Sequence, residues 1–412
     1  MEIFVRKDHP NEHINDKFFA NNPNIRILDL SNSDLLFFPL GILTLKKLEK
    51  IDISNTKVSI LPPEIGELEF LKEIAIENTP LLETKPFSIL KSKSPTEVAA
   101  FFKQITAKTE IPKFHFEPHN PNERVFSIFS WNILASKVAR REFYPLSTEK
   151  CMATYYRDSL TSQIINEIHP DIIALQEFEA RQASDWSKPF IENNYVVAFA
   201  PKGRYFTKKT SDQLYVHGQA TFINLHRFDV LISQLFYPRD SKLVGPEDLD
   251  IKGCDDVVLI TAVRTHTKPS KNYIILNIHM KYNDPEVRKK LTEIIMKETL
   301  NFAHQQFRVF GIIVVGDFND KTNSPTLQRF YDFKLSNIYD SFNSTVSTAI
   351  FQKTNPSRLD HILISKNIKV KSILSQDTYS KLIESHPFIP CYGFPSDHLP
   401  IGAVIELNSI ET

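Results

Sequence analysis

The chain has 412 residues with 49 basic and 49 acidic side chains, and it is 42% hydrophobic and 24% charged. This length predicts two to three domains with a sizeable core, and the composition excludes collagen-like and fully disordered chains. A formal net charge of zero argues against a protein that coats nucleic acid nonspecifically, but it allows a local basic groove that binds nucleic acid.

The cysteines and the apolar runs bear on the compartment. No apolar run approaches the roughly 18 residues that a membrane helix needs, and the opening MEIFVRKDHP is charged where a signal peptide is apolar. Cys151, Cys254 and Cys391 are odd in number and lack the spacing of metal ligands or of a disulfide framework. We therefore expect a cytoplasmic protein, with the nucleus as an additional location, and no membrane partner.

The first predicted element is a repeat with a period of 23 residues. Its apolar positions are Ile25, Leu28, Leu30 and Leu35, then Leu48, Ile51, Ile53 and Val58, then Leu71, Ile74, Ile76 and Leu81. This pattern is typical of leucine-rich repeats, in which stacked units share one core. The column that usually contains Asn or Cys has Ser33, Thr56 and Thr79, each directly preceded by an asparagine.

Flanking elements should support so short a repeat block, because about three repeats is near the minimum for stability. We expect an amphipathic helix over residues 95–107, with Ser94 as N-cap and Glu97 as its N3 partner. Pro112, Pro118 and Pro121 then predict a linker. The expected division is an extension (1–23), a leucine-rich repeat block with a capping helix (24–110), a linker (111–123) and a second domain (124–412).

The second domain alternates short β-branched and aromatic runs with helical stretches. Strands are predicted at 125–131, 171–176, 196–199, 219–223, 257–263, 273–278, 311–315, 361–364 and 401–405, and helices at 155–169 and 285–302. Many strands with fewer helices indicate an α/β fold, a two-layer sandwich with helices outside.

Polar side chains recur where these predicted strands end. They are Asn132, Glu177, His279, Asp317, Asn319, Asp360, Asp397 and His398. A single such residue is usually a turn residue, but strand ends lie side by side in a sheet, so this set should converge on one edge. Converging carboxylates repel unless a cation or proton intervenes. Oxygen ligands without cysteine favour Mg²⁺ or Mn²⁺ over zinc.

The motifs WN, QE, NIH, GDFN, LD and SDH follow one another in this order from Asn132 to His398. In this they resemble the endonuclease/exonuclease/phosphatase superfamily. Within it, NIHMKYNDPE and DFND look most like the poly(A)-specific exoribonucleases. Leucine-rich repeats ahead of such a nuclease are characteristic of the catalytic deadenylase subunits of Ccr–Not complexes. The resemblance covers about residues 24–408.

The resemblance implies a magnesium centre, with Mn²⁺ as an alternative and two ions during catalysis. Glu177 would be a metal ligand, and Asn132 would contact the metal environment or the phosphate. Asp397 would complete the second metal position. Asp317 would serve the metal site and the attacking water. Two ions can stabilise both the attacking and the leaving oxygen of an in-line displacement.

It also implies the catalytic roles. Asp317 would orient or deprotonate the attacking water, and Asn319 would hold that water or a phosphoryl oxygen. His279 and His398 would donate to the scissile phosphate as its negative charge grows. Asp360 would fix the tautomer of His398 and keep it protonated.

Substrate recognition is implied for fewer residues. Pro285 and Phe351 would stack on the adenine base, since stacking contributes roughly 1–3 kcal/mol per base. His217 stands where the family has the Asp of a VDG motif, and Asp212 would replace that acid as a substrate contact. Two basic clusters, 202–209 and 137–141, are either solvated loops or contacts for RNA phosphates.

The expected function is that of a magnesium-dependent 3′-to-5′ exoribonuclease that shortens poly(A) tails and releases 5′-AMP. By the same resemblance, its repeats would bind a second deadenylase that bridges to the scaffold of a Ccr–Not complex. Two alternatives stay open. One is a phosphoesterase of the same fold that acts on another substrate, and the other is a non-catalytic adaptor that binds through its leucine-rich repeats.

Overall fold

The computed structural model describes residues 2–9, 14–84, 86–108, 110–116, 124–203, 216–280, 284–306, 308–342, 344, 347–350, 356–375, 378–379, 381–382 and 388–407. Within them a small parallel sheet precedes two six-stranded sheets. Among these residues, no helix combines the length and the apolar character needed to cross a bilayer.

The small sheet is built from the 23-residue units. Its strands are β1 (Ile3–Val5), β2 (Ile27–Asp29), β3 (Lys50–Asp52) and β4 (Glu73–Ala75). They pair in parallel, and Leu28, Ile51 and Ile74 lie side by side and buried. β1 lies ahead of residue 24 and pairs with β2, so part of the expected extension joins this sheet. Helix α1 (Asp16–Asn21) adds Phe18 and Phe19 to the same core.

An asparagine ladder joins neighbouring units. Asn32, Asn55 and Asn78 all adopt left-handed φ angles of 55–56°, which asparagine tolerates better than most residues. The Asn55 side chain donates to Asn32 at 3.0 Å and the Asn78 side chain donates to Asn55 at 2.8 Å. The hydroxyl that follows each asparagine donates to the carbonyl three residues before it. The unusual column therefore supplies both a turn and a lateral hydrogen bond.

The predicted capping helix is confirmed as α2 (Pro95–Thr106). Ser94 and Glu97 form the reciprocal capping box, and Val98 and Phe102 are buried against the repeats. Of the predicted linker, residues 113–116 lie on the second domain, where Phe114 packs against Tyr379. Residues 117–123 lie outside the described ranges.

The second domain is the predicted two-layer α/β sandwich. Its first sheet has the strand order β15-β16-β5-β6-β8-β7 and its second β13-β14-β12-β11-β10-β9. The strands are β5 (Val125–Asn132), β6 (Ile172–Glu179), β7 (Tyr195–Pro201), β8 (His217–Asn224), β9 (Phe228–Phe236), β10 (Val258–Thr265), β11 (Asn272–His279), β12 (Gly311–Asp317), β13 (Leu335–Asn337), β14 (Asp360–Ser365), β15 (Lys369–Ile373) and β16 (Ile401–Glu406). Apolar side chains of both sheets, such as Phe126 and Val315, form the core between them.

Helices alternate with the strands of the sandwich along the chain. They are α3 (Glu149–Met152), α4 (Thr154–Ile168), α5 (Ala180–Glu192), α6 (Leu249–Lys252), α7 (Pro285–Gln306), α8 (Pro325–Asp332) and α9 (Ile338–Ser341). The two predicted helices correspond to α4 and α7, and each predicted strand overlaps an observed one. The other elements of the sandwich were not predicted, among them α5, which contains Pro189, and β9, whose central residues are only half-buried. Proline is disfavoured inside a helix, which hides α5 from sequence-based prediction.

Candidate active site

The polar strand ends converge at one edge of the sandwich, as predicted. β5 ends at Asn132, and β11 and β12 end at the paired residues His279 and Asp317. β14 begins at Asp360, which pairs with Asp317. The first sheet therefore supplies one side of the site and the second sheet supplies the other.

Glu177 is turned into this edge by an irregularity in β6. The register with β8 shifts between Leu175 and Phe178, and Glu177 adopts a φ of +58°. A bulge of this kind re-aims a side chain, and a strained non-glycine residue is a frequent mark of a functional site. Its carboxylate accepts hydrogen bonds from the backbone N–H of Ala135 at 2.7 Å and the side chain of Asn132 at 3.3 Å.

The charge state of Glu177 follows from its neighbours. Burial acts to raise its pKa, but the nearby His279 and His217 and the Ala135 N–H outweigh burial and lower the pKa to about 2. Glu177 is therefore an ionised carboxylate at neutral pH.

Asp317 lies at the centre of the site. One oxygen accepts from the Asn132 amide at 3.0 Å and the other from the Asn319 backbone N–H at 2.8 Å. Burial and the neighbouring Asp360 raise the pKa of Asp317 to about 7, while His398 opposes them. The Asn319 side chain donates to the Met280 carbonyl at 3.0 Å. The DFND sequence is thus a turn and part of the site at once.

The two histidines approach Asp317 from different segments, His279 from the end of β11 and His398 from the loop that precedes β16. Nε2 of His279 lies 3.7 Å from Asp317 Oδ2 and 4.0 Å from Glu177 Oε1. Nε2 of His398 lies 3.7 Å from the same Asp317 oxygen, and its Nδ1 lies 2.8 Å from Asp360 Oδ2. The structure therefore brings these five side chains into one buried cluster.

Their protonation states differ. Burial acts to lower the pKa of His398, but Asp360 and Asp317 outweigh it and hold the pKa well above its ordinary value. Burial lowers the pKa of His279 well below its ordinary value, and the positive charge of Lys202 adds to this effect. His398 is therefore the cationic imidazole of the site and His279 the neutral one.

Asp397 completes the set of acids. Its Oδ2 accepts the hydroxyl hydrogen of Tyr144 at 2.6 Å. Its Oδ1 is buried and has no hydrogen-bond partner among the described residues, and burial raises the pKa of the group. A buried carboxylate oxygen left open is what a cation would satisfy. Ligand atoms of Asp317, Asp360 and His398 also lie within 4.8 Å of one another, but a cationic His398 that donates to Asp360 offers a metal no lone pair. The oxygen atoms of Glu177, Asp317 and Asp397 are the groups that suit a divalent ion.

A buried amide pair joins the two sheets beneath the site. The Gln176 side chain on β6 donates to Asn277 Oδ1 on β11 at 2.9 Å. Asn277 in turn donates to the carbonyls of Leu175 and Ala220 in the first sheet. These contacts were not predicted, although a polar residue inside an apolar strand run was a visible signal.

Other residues of the site carried no sequence signal. Tyr144 lies in no motif, and neither does Arg157, whose buried guanidinium donates to the carbonyls of Leu134 and Pro395. Of the two basic clusters, Arg141 bonds Glu64 of the repeat block at 2.7 Å. Lys202 lies 3.2 Å from Asp256.

The substrate-binding predictions are only partly within the described residues. Pro285 is exposed and is the first residue of α7, where the preceding Asp284 caps the helix. His217 begins β8 and is half-buried; burial lowers its pKa and Glu177 opposes the change. Asp212 and Phe351 lie outside the described ranges. The stacking of Pro285 and Phe351 on adenine and the substrate contact of Asp212 stay predictions.

Comparison with known proteins finds several relatives that are named as Ccr4 subunits. The chain is 26% identical over 324 residues to the probable CCR4-Not complex 3′-5′-exoribonuclease subunit Ccr4 of Vairimorpha ceranae, which covers 70% of this chain and 65% of the relative. It is 23% identical over 342 residues to the Ccr4 subunit of Candida albicans, which covers 72% of this chain and 42% of that relative. The chain thus spans less than two thirds of either relative.

Solved structures share the fold of the sandwich. The crystal structure of ANGEL2, a 2′,3′-cyclic phosphatase, is 18% identical with a TM-score of 0.59 and covers 72% of this chain and 98% of its own. The human Nocturnin catalytic domain is 19% identical with a TM-score of 0.53 and covers 72% and 99%. Residues 129–398, well over half of the chain, match the endonuclease/exonuclease/phosphatase family. The chain therefore belongs to this family.

Proposed function

We propose that the protein is a magnesium-dependent 3′-to-5′ exoribonuclease that shortens poly(A) tails and releases 5′-AMP. One observation carries this proposal: side chains supplied by both sheets lie together at one edge. The histidine nitrogens are within 4.0 Å of the carboxylate oxygens in the group formed by Glu177, Asp317, His279 and His398. The names of the similar Ccr4 proteins support an exoribonuclease activity.

Glu177, Asp317 and Asp397, together with the Asn132 amide, would hold two divalent ions. Bound Mg²⁺ or Mn²⁺ would stabilise the negative charge that develops on the phosphate oxygens during the displacement. The open oxygen of Asp397 and the oxygen-rich ligand set support this assignment.

The remaining side chains have complementary roles in the proposal. Asp317 accepts the proton of the attacking water, since its carboxylate lies at the centre of the site, 3.7 Å from a nitrogen of each histidine. Asn319 positions that water. His398, kept cationic by Asp360, donates to the developing phosphate charge, and the neutral His279 donates its one N–H.

Partner binding is proposed for the repeat block, which we interpret as leucine-rich repeats. Leu36, Phe37, Leu40 and Ile60 are exposed there, with Phe37 81% exposed. They line a cavity of about 570 Å³ together with Pro145. The similar proteins are named as subunits of the CCR4-Not complex. We propose that this surface joins the chain to a second deadenylase and the complex scaffold, in the cytoplasm and also in the nucleus.

The test uses purified protein and RNAs that end in adenylates or in uridylates. With Mg²⁺, we expect stepwise 3′ shortening of the A-tailed RNA with release of 5′-AMP, and EDTA should stop it. Glu177→Gln should abolish shortening, whereas Glu167→Gln, the same change on the exposed face of α4, should leave it intact.

The comparisons with and without EDTA, and between A-tailed and U-tailed RNA, separate the alternative functions. Equal shortening with and without EDTA would refute the metal-dependent activity. Equal rates on A- and U-tailed RNA would keep the phosphodiesterase but reject adenine selectivity. No hydrolysis of either RNA by a folded protein would favour the non-catalytic adaptor. Proteins that have lost catalysis rarely keep all of their buried metal-binding acids, because a buried carboxylate without a cation destabilises the fold.

A further inference from the structure

Two segments run from the repeat block to the catalytic edge. The first, here called the front segment, comprises residues 141–149 and contains Tyr144. The second, the rear segment, comprises residues 388–398 and contains Asp397. The front segment contacts the repeat block at both of its ends and reaches Asp397 through Tyr144, which lies between them. The rear segment contacts the repeat block through Phe388 and Tyr392 and ends at Asp397 and His398.

One short turn of the repeat block binds both segments. This turn, Pro63–Glu67, carries two acids that face the sandwich. Glu64 accepts hydrogen bonds from the Arg141 guanidinium and the Glu149 backbone N–H, both at 2.7 Å. Glu67 accepts the hydroxyl hydrogen of Tyr392 at 2.5 Å. The turn therefore contacts the front segment through one acid and the rear segment through the other.

Apolar packing reinforces these hydrogen bonds. Leu146 of the front segment is 2% exposed and belongs to the apolar core of the repeat block. Phe388 of the rear segment packs edge-to-face on Phe101 of α2 at 5.8 Å. Both segments are therefore anchored through buried contacts with the repeat block as well as through its two acids.

At the catalytic end the two segments meet in one hydrogen bond. The Tyr144 hydroxyl donates to Asp397 Oδ2 at 2.6 Å. Tyr144 is buried, and its phenol is the donor of the pair because a carboxylate oxygen can only accept. Since this bond fixes Oδ2, the second oxygen of Asp397 is left in a defined direction without a partner among the described residues.

We propose that Tyr144 is a positioning residue for the Asp397 carboxylate, and that the turn Pro63–Glu67 sets this pair, so that the repeat block tunes the affinity of the catalytic edge for divalent ions. The proposal rests on the proposed metal-dependent function. It gives the repeat block a second role besides partner binding, because a partner that shifts the turn would also shift Asp397.

The test is Mn²⁺ binding to the full chain without RNA, measured from the electron paramagnetic resonance of free Mn²⁺. Tyr144→Phe removes only the hydroxyl and should weaken binding about tenfold or more, as loss of a ligand's outer hydrogen bond does. Tyr195→Phe is the matched control, because that buried hydroxyl also donates at 2.6 Å but to the distant Pro170 carbonyl. Both variants should melt at similar temperatures without metal.

The double variant Glu64→Gln/Glu67→Gln tests the turn and keeps the sandwich sequence intact. We expect a smaller loss, about threefold or more, and little further loss when it is combined with Tyr144→Phe. Glu49→Gln/Glu73→Gln, whose partners are exposed lysines and an arginine in the same block, should bind like wild type.

Wild-type affinity in Tyr144→Phe, or an equal loss in Tyr195→Phe, would overturn the positioning role. If the losses of Mn²⁺ affinity in Tyr144→Phe and in Glu64→Gln/Glu67→Gln were fully additive in the combined variant, the link through the turn would be overturned. If the wild-type chain itself bound no Mn²⁺, the proposed function would fail together with this inference, and that result needs no variant.

Discussion

At the residue scale, the site shows how one side-chain type takes two states within a few ångströms. His279 and His398 contact the same Asp317 oxygen at the same 3.7 Å distance. Only His398 has a second carboxylate, Asp360, at hydrogen-bond distance. This extra carboxylate raises the pKa of His398, while burial and the charge of Lys202 lower that of His279.

Asp360→Asn should therefore reduce kcat on A-tailed RNA by about 10²-fold or more, because general-acid and electrostatic assistance contributes roughly 10²–10⁴. Asn keeps the volume and a hydrogen-bonding group but removes the charge that stabilises the His398 cation. KM should change little. A higher KM with an unchanged kcat would contradict the assignment. Steady-state kinetics measures both constants, and a thermal melt is the control for folding.

Site residues with motif spacing could be predicted from the sequence, and those without it could not. His279 and Asp317 follow recognisable apolar strands, so their convergence was predictable. Tyr144 comes from an irregular loop, and nothing in a linear pattern indicates which carboxylate a loop hydroxyl reaches. Such contacts depend on how distant segments pack, which the local sequence does not encode.

At the element scale, irregular backbone positions aim the catalytic groups. Gly316 has a φ of +142°, and a Cβ there would lie 2.0 Å from the Ile278 carbonyl oxygen of the neighbouring strand. Only glycine allows β11 and β12 to approach so closely just before Asp317. The asparagine ladder of the repeats is a second example, in which left-handed residues allow lateral hydrogen bonds.

Gly316→Ala should destabilise the protein by roughly 2–5 kcal/mol, from backbone strain together with overpacking. Gly253→Ala is the control: its φ is −79° and the nearest atom to an added Cβ is 3.4 Å away. That change should be neutral or stabilise by about 0.4–1 kcal/mol. Urea unfolding of both variants measures the difference, and equal stabilities would refute the close-approach argument.

At the scale of the whole molecule, the active site depends on the alignment of two sheets. Each sheet carries only part of the site. The buried pair of Gln176 and Asn277 links the sheets directly beneath the site. Sliding of one sheet past the other would separate Glu177 from Asp317 without unfolding either sheet.

Asn277→Ala should remove this link and cost about 2–5 kcal/mol, because buried polar partners lose their hydrogen bonds. Hydrolysis should fall at temperatures where the secondary structure is still intact. Asn272→Ala, at the half-buried far end of the same strand, removes only hydrogen bonds to Arg264 and to the Arg308 carbonyl, so it should cost no more than about 1 kcal/mol. Circular dichroism melts alongside activity at each temperature check this, and parallel losses in the two variants would contradict it.

The sandwich could be predicted because alternating strand and helix patterns are local features. The strand order could not, since β5 lies between β6 and β16, which are far apart in sequence. The contact of the repeat block with both catalytic segments was equally hidden, because Glu64 and Glu67 look like ordinary surface acids in the sequence. Long-range pairing is settled by the packing of the complete chain.

The position of β16 has a consequence for synthesis of the protein. This strand inserts between β5 and β15, and His398 and Asp397 directly precede it. A nascent chain on the ribosome therefore carries Glu177 and Asp317 long before it carries Asp397, His398 and β16. A product that stops before β16 should lack an assembled site, so the proposed activity would begin only after this strand has joined its sheet.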